Sequence, residues 1–153
     1  MRKITYTMAC CLALCFLLPV GAAATELQSG LKIEDVFGRY GKRKNVTMVE
    51  LSKEMLETYG MVRYKSITIK NDDEALRFTR RCLEADQKGA RKIKEVTDDG
   101  GIVSAYYQLP SVKEELNRFV LFKVNKKKII TLVYIEGELD SEDLITLLFA
   151  NDL

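Results

Sequence analysis

Residues 118–135, RFVLFKVNKKKIITLVYI, hold two apolar runs joined by Asn125-Lys126-Lys127-Lys128. Short apolar runs bounded by turn residues read as strands, and two of them separated by a short polar link read as an antiparallel hairpin. Neither arm alternates cleanly. Phe119, Val120, Leu121 and Phe122 follow one another without a polar break, as do Leu132, Val133, Tyr134 and Ile135. Strands that are apolar on both faces belong at the centre of a sheet covered at least partly on each side, or leave one face awaiting a partner. The lysines at the tip discourage edge-to-edge pairing.

Working outward, RKIKEVT (91–97) and IVSAYYQL (102–109) flank Asp98-Asp99-Gly100-Gly101, which signals a further hairpin. YKSITIK (64–70) places Lys65, Ile67 and Ile69 on one side of a strand, and Asn71-Asp72-Asp73-Glu74 then supplies a helix cap and first-turn acids. The helix that follows gathers Ala75, Leu76, Phe78, Thr79, Cys82 and Leu83 on one arc and Arg77, Arg80, Arg81 and Glu84 on the other. VTMVELSKEMLETYG (46–60) carries two signals. Met48, Leu51, Met55, Leu56 and Tyr59 suit one helical face ended by Gly60, while VTMVEL is β-prone and allows a strand leading into a helix from about Ser52. Ile33, Val36, Phe37 and Tyr40 mark a short helix ended near Gly41, and Asp140-Ser141-Glu142-Asp143 resembles a capping box opening a last helix over Leu144 to Phe149.

Strands clustered in meanders with amphipathic helices between and after them predict a two-layer α+β fold: a mainly antiparallel sheet of about five strands with helices packed on one face. No repeat, low-complexity tract or proline-rich spacer interrupts residues 25–153, so these are expected to form a single domain. At the N-terminus, Arg2 and Lys3 precede an apolar run from Met8 to Val20, and Ala22-Ala23-Ala24 offers small residues to a signal peptidase. This predicts a signal peptide over residues 1–24 and export to the periplasm, the envelope or the medium. The run is shorter than the roughly 20 residues a spanning helix needs, so no transmembrane segment is expected.

Cleavage after Ala24 would remove Cys10, Cys11 and Cys15 and leave Cys82 alone, so no internal disulfide is expected. It would also remove two of the 24 basic residues and none of the 22 acidic ones, leaving a formal net charge of zero. A neutral domain gives no global electrostatic argument for nucleic acid or an anionic membrane, and no nucleic-acid partner is expected.

The chain contains no histidine. That excludes Ser-His-Asp and Cys-His catalysis and histidine-ligated zinc, and leaves carboxylates, lysines and tyrosines as acid and base groups. Cys82 falls on the apolar arc of its helix and reads as a small buried hydrophobe. Glu136, Glu138 and Asp140 are spaced two apart, as in a calcium loop, but lack the central glycine and distal glutamate of an EF-hand. Asp98 and Asp99 suit a turn for backbone reasons. The basic runs RYGKRK (39–44) and KKK (126–128) read as solvated loops, and Asn45-Val46-Thr47 fits a glycosylation sequon. No catalytic, cofactor-binding or metal-ligating residue is assigned, and no cofactor is expected.

VTMVELSKEML (46–56), DDEALRFTRRCLE (72–84) and VNKKKIITLVYIEGELDSEDLITLL (124–148) resemble the domain-of-unknown-function families of small exported proteins of Bacteroidetes. The resemblance implies an α+β domain in the bacterial envelope or outside the cell and brings no activity with it. The expected function is a non-catalytic binding or interaction protein of the cell envelope. It would meet a protein or envelope component, or a second copy of itself, through an exposed sheet face or edge, with Tyr106 and Tyr107 as candidate contact residues, since adjacent strand positions point to opposite faces and one of the two is expected to face solvent. The rivals are a carboxylate- or metal-dependent hydrolase using the acids of 136–143 and a small-ligand-binding module with a pocket between helices and sheet.

Overall fold

The computed structural model describes residues 30–149; the expected signal peptide lies outside them. The elements run α1 (Ile33–Tyr40), β1 (Val46–Glu50), α2 (Lys53–Thr58), β2 (Met61–Lys70), α3 (Asp73–Asp86), β3 (Arg91–Asp98), β4 (Gly101–Leu109), β5 (Asn117–Val124), β6 (Ile129–Gly137) and α4 (Ser141–Phe149). The strands form one antiparallel sheet in the order β1-β2-β6-β5-β4-β3. The class is α+β, with six strands where about five were expected. The extra one is β1: the ambiguous 46–60 stretch resolves into a strand paired with β2, Met48 opposite Ile67, followed by a helix capped by Ser52.

Local chemistry sets most boundaries. The Asp72 side chain accepts a hydrogen bond from Ala75 N at 2.8 Å and starts α3, relieving one of the unpaired amides of its first turn. At α4 the expected capping box forms in both directions. Asp140 Oδ1 accepts from Asp143 N at 2.9 Å, and Asp143 Oδ2 accepts from Asp140 N at 3.3 Å. Asp99 and Gly100 connect β3 to β4, with Gly100 N donating to Asp98 Oδ1 and Gly101 adopting φ +108°. Gly60 ends α2 at φ +65°, as its position after the periodic run implied.

The sheet is covered on both faces, which corrects the expectation of helices on one. On the first face, Ile67 and Ile69 of β2, Leu132 and Tyr134 of β6, Val120 and Phe122 of β5 and Tyr107 of β4 meet α1 and α3, which contribute Ile33, Val36, Phe37, Tyr40, Ala75, Cys82 and Leu83. On the second, Met61, Ile135, Phe119 and Tyr106 meet Leu144 of α4 and the half-buried Leu56 of α2. The doubly apolar β5–β6 hairpin requires this, because each fully buried side chain contributes on the order of 2 kcal/mol only when its own face is covered. The second cover is partial. Beyond Val133 and Leu121, neighbours across the sheet on that face are Thr47, Thr68, Thr131, Lys123 and Ser104, none of them buried.

Gly137 belongs to a close approach between the start of β2 and the end of β6. A Cβ there would lie 2.9 Å from Met61 Cα and press on the Gly60 carbonyl, which accepts from Glu138 N at 3.0 Å. No helix among the described residues is long and apolar enough to cross a membrane.

Candidate binding surface at the β1 edge

The two edges of the sheet are built differently. β3 carries Arg91, Lys92, Lys94, Glu95 and Asp98 in eight residues, and its pairing with β4 slips twice, between Lys92 and Lys94 and between Val96 and Thr97. Charges and bulges are the usual means of keeping an edge from recruiting another strand. β1 has neither. Its sequence VTMVE holds one charge, its register with β2 is unbroken, and Thr47 to Glu50 are exposed. Alternate backbone N–H and C=O groups of an edge strand face outward and seek partners.

Several large apolar side chains are exposed near this edge. Met48, Val49, Met55, Tyr59 and Val62 lie between β1 and the start of β2 and are 38–51% exposed. Val96, Val112 and Ile145, the other large hydrophobics exposed among the described residues, are scattered over β3, the β4–β5 loop and α4. Isolated exposed hydrophobics are ordinary; here five follow within fifteen residues of chain, Met48 turned to the first face and Val49 to the second.

On the first face, beside β1, a cleft of about 500 Å³ opens between α1 and strands β1 and β2. Phe37 and Met48 supply apolar lining, and Glu34, Lys42, Glu50 and Lys65 supply charges of both signs. Glu34 is engaged: Lys65 Nζ donates to it at 3.1 Å, and Arg63 Nη1 lies 3.8 Å away. Gly41 lies where a Cβ would come within 2.5 Å of the Phe37 carbonyl oxygen of α1 and 2.6 Å of Met48 Sδ on the edge strand, so the end of α1 and the edge strand leave no room for a side chain. Sequence reasoning took Gly41 only as a helix stop. Its φ of −58° is one any residue adopts, and the close approach is what selects glycine.

The residues singled out from the sequence are dispersed. Tyr106 and Tyr107 do point to opposite faces, but both faces are covered there, so both are buried; this corrects the expectation that one meets a partner. Tyr106 OH donates to the Ser141 carbonyl at 3.4 Å, and Tyr107 OH donates to Glu95. Burial, chiefly, pushes the Tyr106 hydroxyl up to about 12; burial and then Glu95 raise that of Tyr107. Neither serves as a base near neutrality.

Among the acids, Asp140 is turned onto the Glu142 and Asp143 amides of α4, while Glu136, on β6, accepts from Tyr134 OH at 3.1 Å. They do not converge, and no cluster of three or more cysteine or acidic groups among the described residues is placed to hold a metal. Asp98 is held in its turn. Cys82 lies under α3 at 6% exposure. Burial, and then the negative charges of Asp35 and Asp86, push its thiol up to about 11, opposite to the shift a nucleophile needs.

Over residues 20–148 the chain matches a family described as Family of unknown function (DUF6108). The chain belongs to this family. No curated protein and no solved structure matches it. Sequence reasoning missed the β1 corner, although the uncharged run VTMV beside Met55 and Tyr59 was a readable signal once β1 is taken as a strand.

Proposed function

We propose that this member of the family is a non-catalytic binding protein of the cell envelope, and that its β1 edge accepts an extended segment of a protein partner as a further strand. The observation that carries the reading is the contrast between edges: β3 is charged and bulged, whereas β1 is regular, nearly uncharged and surrounded by exposed apolar side chains. Main-chain pairing would supply affinity, and side chains of the added strand would alternate between the α1 cleft and the apolar corner of α2. The scattered acids, the buried tyrosines and the raised Cys82 thiol support a binding role over chemistry.

The test is to place in β1 the charge that guards β3. Val49→Lys, exposed and outside the core, is expected to leave the melting temperature within about 2 °C, as surface changes usually do. It is also expected to abolish retention of envelope proteins that the unaltered chain captures from its native cells. Light scattering on both chains checks self-association at the same edge. Equal retention by both chains, together with an unchanged oligomeric state, would reject the reading.

A further inference from the structure

Two basic runs far apart in sequence meet at one end of the sheet. RYGKRK follows along the end of α1 into β1, and KKK forms the tip of the β5–β6 hairpin. The segment 70–74 brings them together. Asn71 N donates to the Lys128 carbonyl at 3.1 Å, Lys128 Nζ pairs with Asp73 at 3.0 Å, Arg43 Nη1 lies 3.8 Å from Asp72, and Arg39 pairs with Glu74 at 2.7 Å. These contacts occupy the three acids of the α3 cap. Lys42, Lys44, Lys70, Lys126 and Lys127 are exposed and make no ion pair among the described residues. Eight cations against these three acids leave an excess of five around the α3 cap; counting Arg80, Asp98 and Asp99 of the β3–β4 turn, nine cations against five acids leave the whole end at +4, in a domain whose formal charge is zero over residues 25–153. The acids Asp98 and Asp99 share the end but lie in the β3–β4 turn, where Arg80 donates to the Gly100 and Ile102 carbonyls.

Eight acids gather at the other end. Glu54 and Glu57 of α2, Glu114 and Glu115 of the β4–β5 loop, and Glu138 to Asp143 beyond β6 all stand where β2 begins and β6 finishes. Lys53, Lys88, Arg91 and Lys113 stand at that end too, so its acids are partly offset where the lysines around the α3 cap are not.

The basic tip is a built turn: Asn125 Oδ1 accepts from Lys127 N at 2.9 Å and from Ile129 N at 3.0 Å, so the lysines project from a fixed backbone. The aromatic ring at this end is covered, since Tyr40 is buried under Arg39 and Arg43, 5.5 and 4.5 Å from its centroid. Single-stranded nucleic acid is normally held by exposed rings on which bases stack, and this end offers none. The five unpaired cations are all lysines, which act as mobile point charges rather than bidentate forks, a chemistry matched to a fluid array of phosphates.

We infer that this end of the sheet docks on a membrane surface of anionic phospholipids, with Lys42, Lys44, Lys70, Lys126 and Lys127 as its contacts. The inference goes beyond the edge-strand reading and shares with it only Lys42, a residue of the α1 cleft; Lys126 and Lys127 lie outside that cleft, so either reading can fail alone.

The full chain is sedimented with vesicles of phosphatidylcholine, alone or mixed with phosphatidylglycerol. It is compared with Lys126→Glu/Lys127→Glu, Lys42→Glu/Lys44→Glu, and a control, Lys88→Glu/Lys113→Glu, that makes the same charge change at the opposite end. Any contribution of the apolar residues 9–20 is common to all four. At about fivefold per lysine near an anionic surface, either basic-end variant is expected to lose more than tenfold in binding to mixed vesicles. The control is expected to keep its binding, and molar salt is expected to remove the difference between chains. Equal binding to both kinds of vesicle, equal losses in all three variants, or retention of duplex DNA without vesicle binding would overturn the inference.

Discussion

The face of the sheet that carries Ile67, Val120 and Leu132 and the face that carries Thr68, Leu121 and Val133 come from the same strands, yet one is closed and the other half open. The closed face lies under α3, fourteen residues long, together with α1. The other has α2, of six residues, and α4, of nine, gathered toward one end. The difference teaches where a cover stops. Apolar residues continue along β5 and β6 as far as Leu121 and Val133, and the next neighbours on that face are Lys123 and Thr131. Side-chain polarity changes at the row where the helices run out, because an uncovered apolar row would leave its surface in water at roughly 25 cal/mol per Å².

Neighbouring residues on β6 test this contrast most sharply. Leu132→Ala opens a cavity under α1 and α3 and is expected to cost about 3 kcal/mol, whereas Val133→Ala, half-buried on the other face, is expected to cost about 1 kcal/mol. Urea unfolding with unchanged slopes measures both; equal losses would break the distinction between the faces.

A pair of thiols sharpens it further. Cys82 faces the closed side and is expected to react with iodoacetamide in the native state at least about tenfold more slowly than a cysteine placed by Thr131→Cys on the open side. The same burial fixes a pH dependence. Folded Cys82 keeps its proton to about 11 while the unfolded thiol releases it near 9.0, so the folded chain holds the extra proton between those values. Its contribution is therefore complete below about pH 9 and declines as pH rises toward 11. Cys82→Ala should flatten that part of the stability profile, and an unaltered profile would refute the assignment. The smallest effect belongs to Thr131→Val, expected to shift stability by less than about 0.5 kcal/mol because no cover waits to bury the added methyl.

Much of the fold was legible because it is local. Ile33, Val36, Phe37 and Tyr40 share a helical face at any packing, Asp140 and Asp143 cap across three residues, and Asp98 to Gly101 turn without outside help. What stayed open or was misread is non-local. VTMVE fits helical spacing as well as a strand, and its pairing with Ser66, Ile67 and Ile69, some twenty residues on, decides the matter. Doubly apolar arms announce two covers without saying which helix takes which face, so Tyr106 and Tyr107 could be assigned opposite sides but not matching burial. The two basic runs each read as a solvated loop, since the contacts that bring them to one end pass through Asn71 and Asp73.

The strand order has a consequence for how the chain comes together. β2 takes its place against β6, the last strand to be made, so the β1–β2 ribbon has no neighbour until residues 129–137 have emerged. Until then Ile67 and Ile69 lack their cross-strand partners Leu132 and Ile130, although the segments that form α1, α3, β3, β4 and β5 are already present. Closing that long loop is slow because its entropy is lost before any contact rewards it. Assembly therefore finishes from the C-terminal side, and a ribosome stalled before β6 would hold a chain without the middle of its sheet.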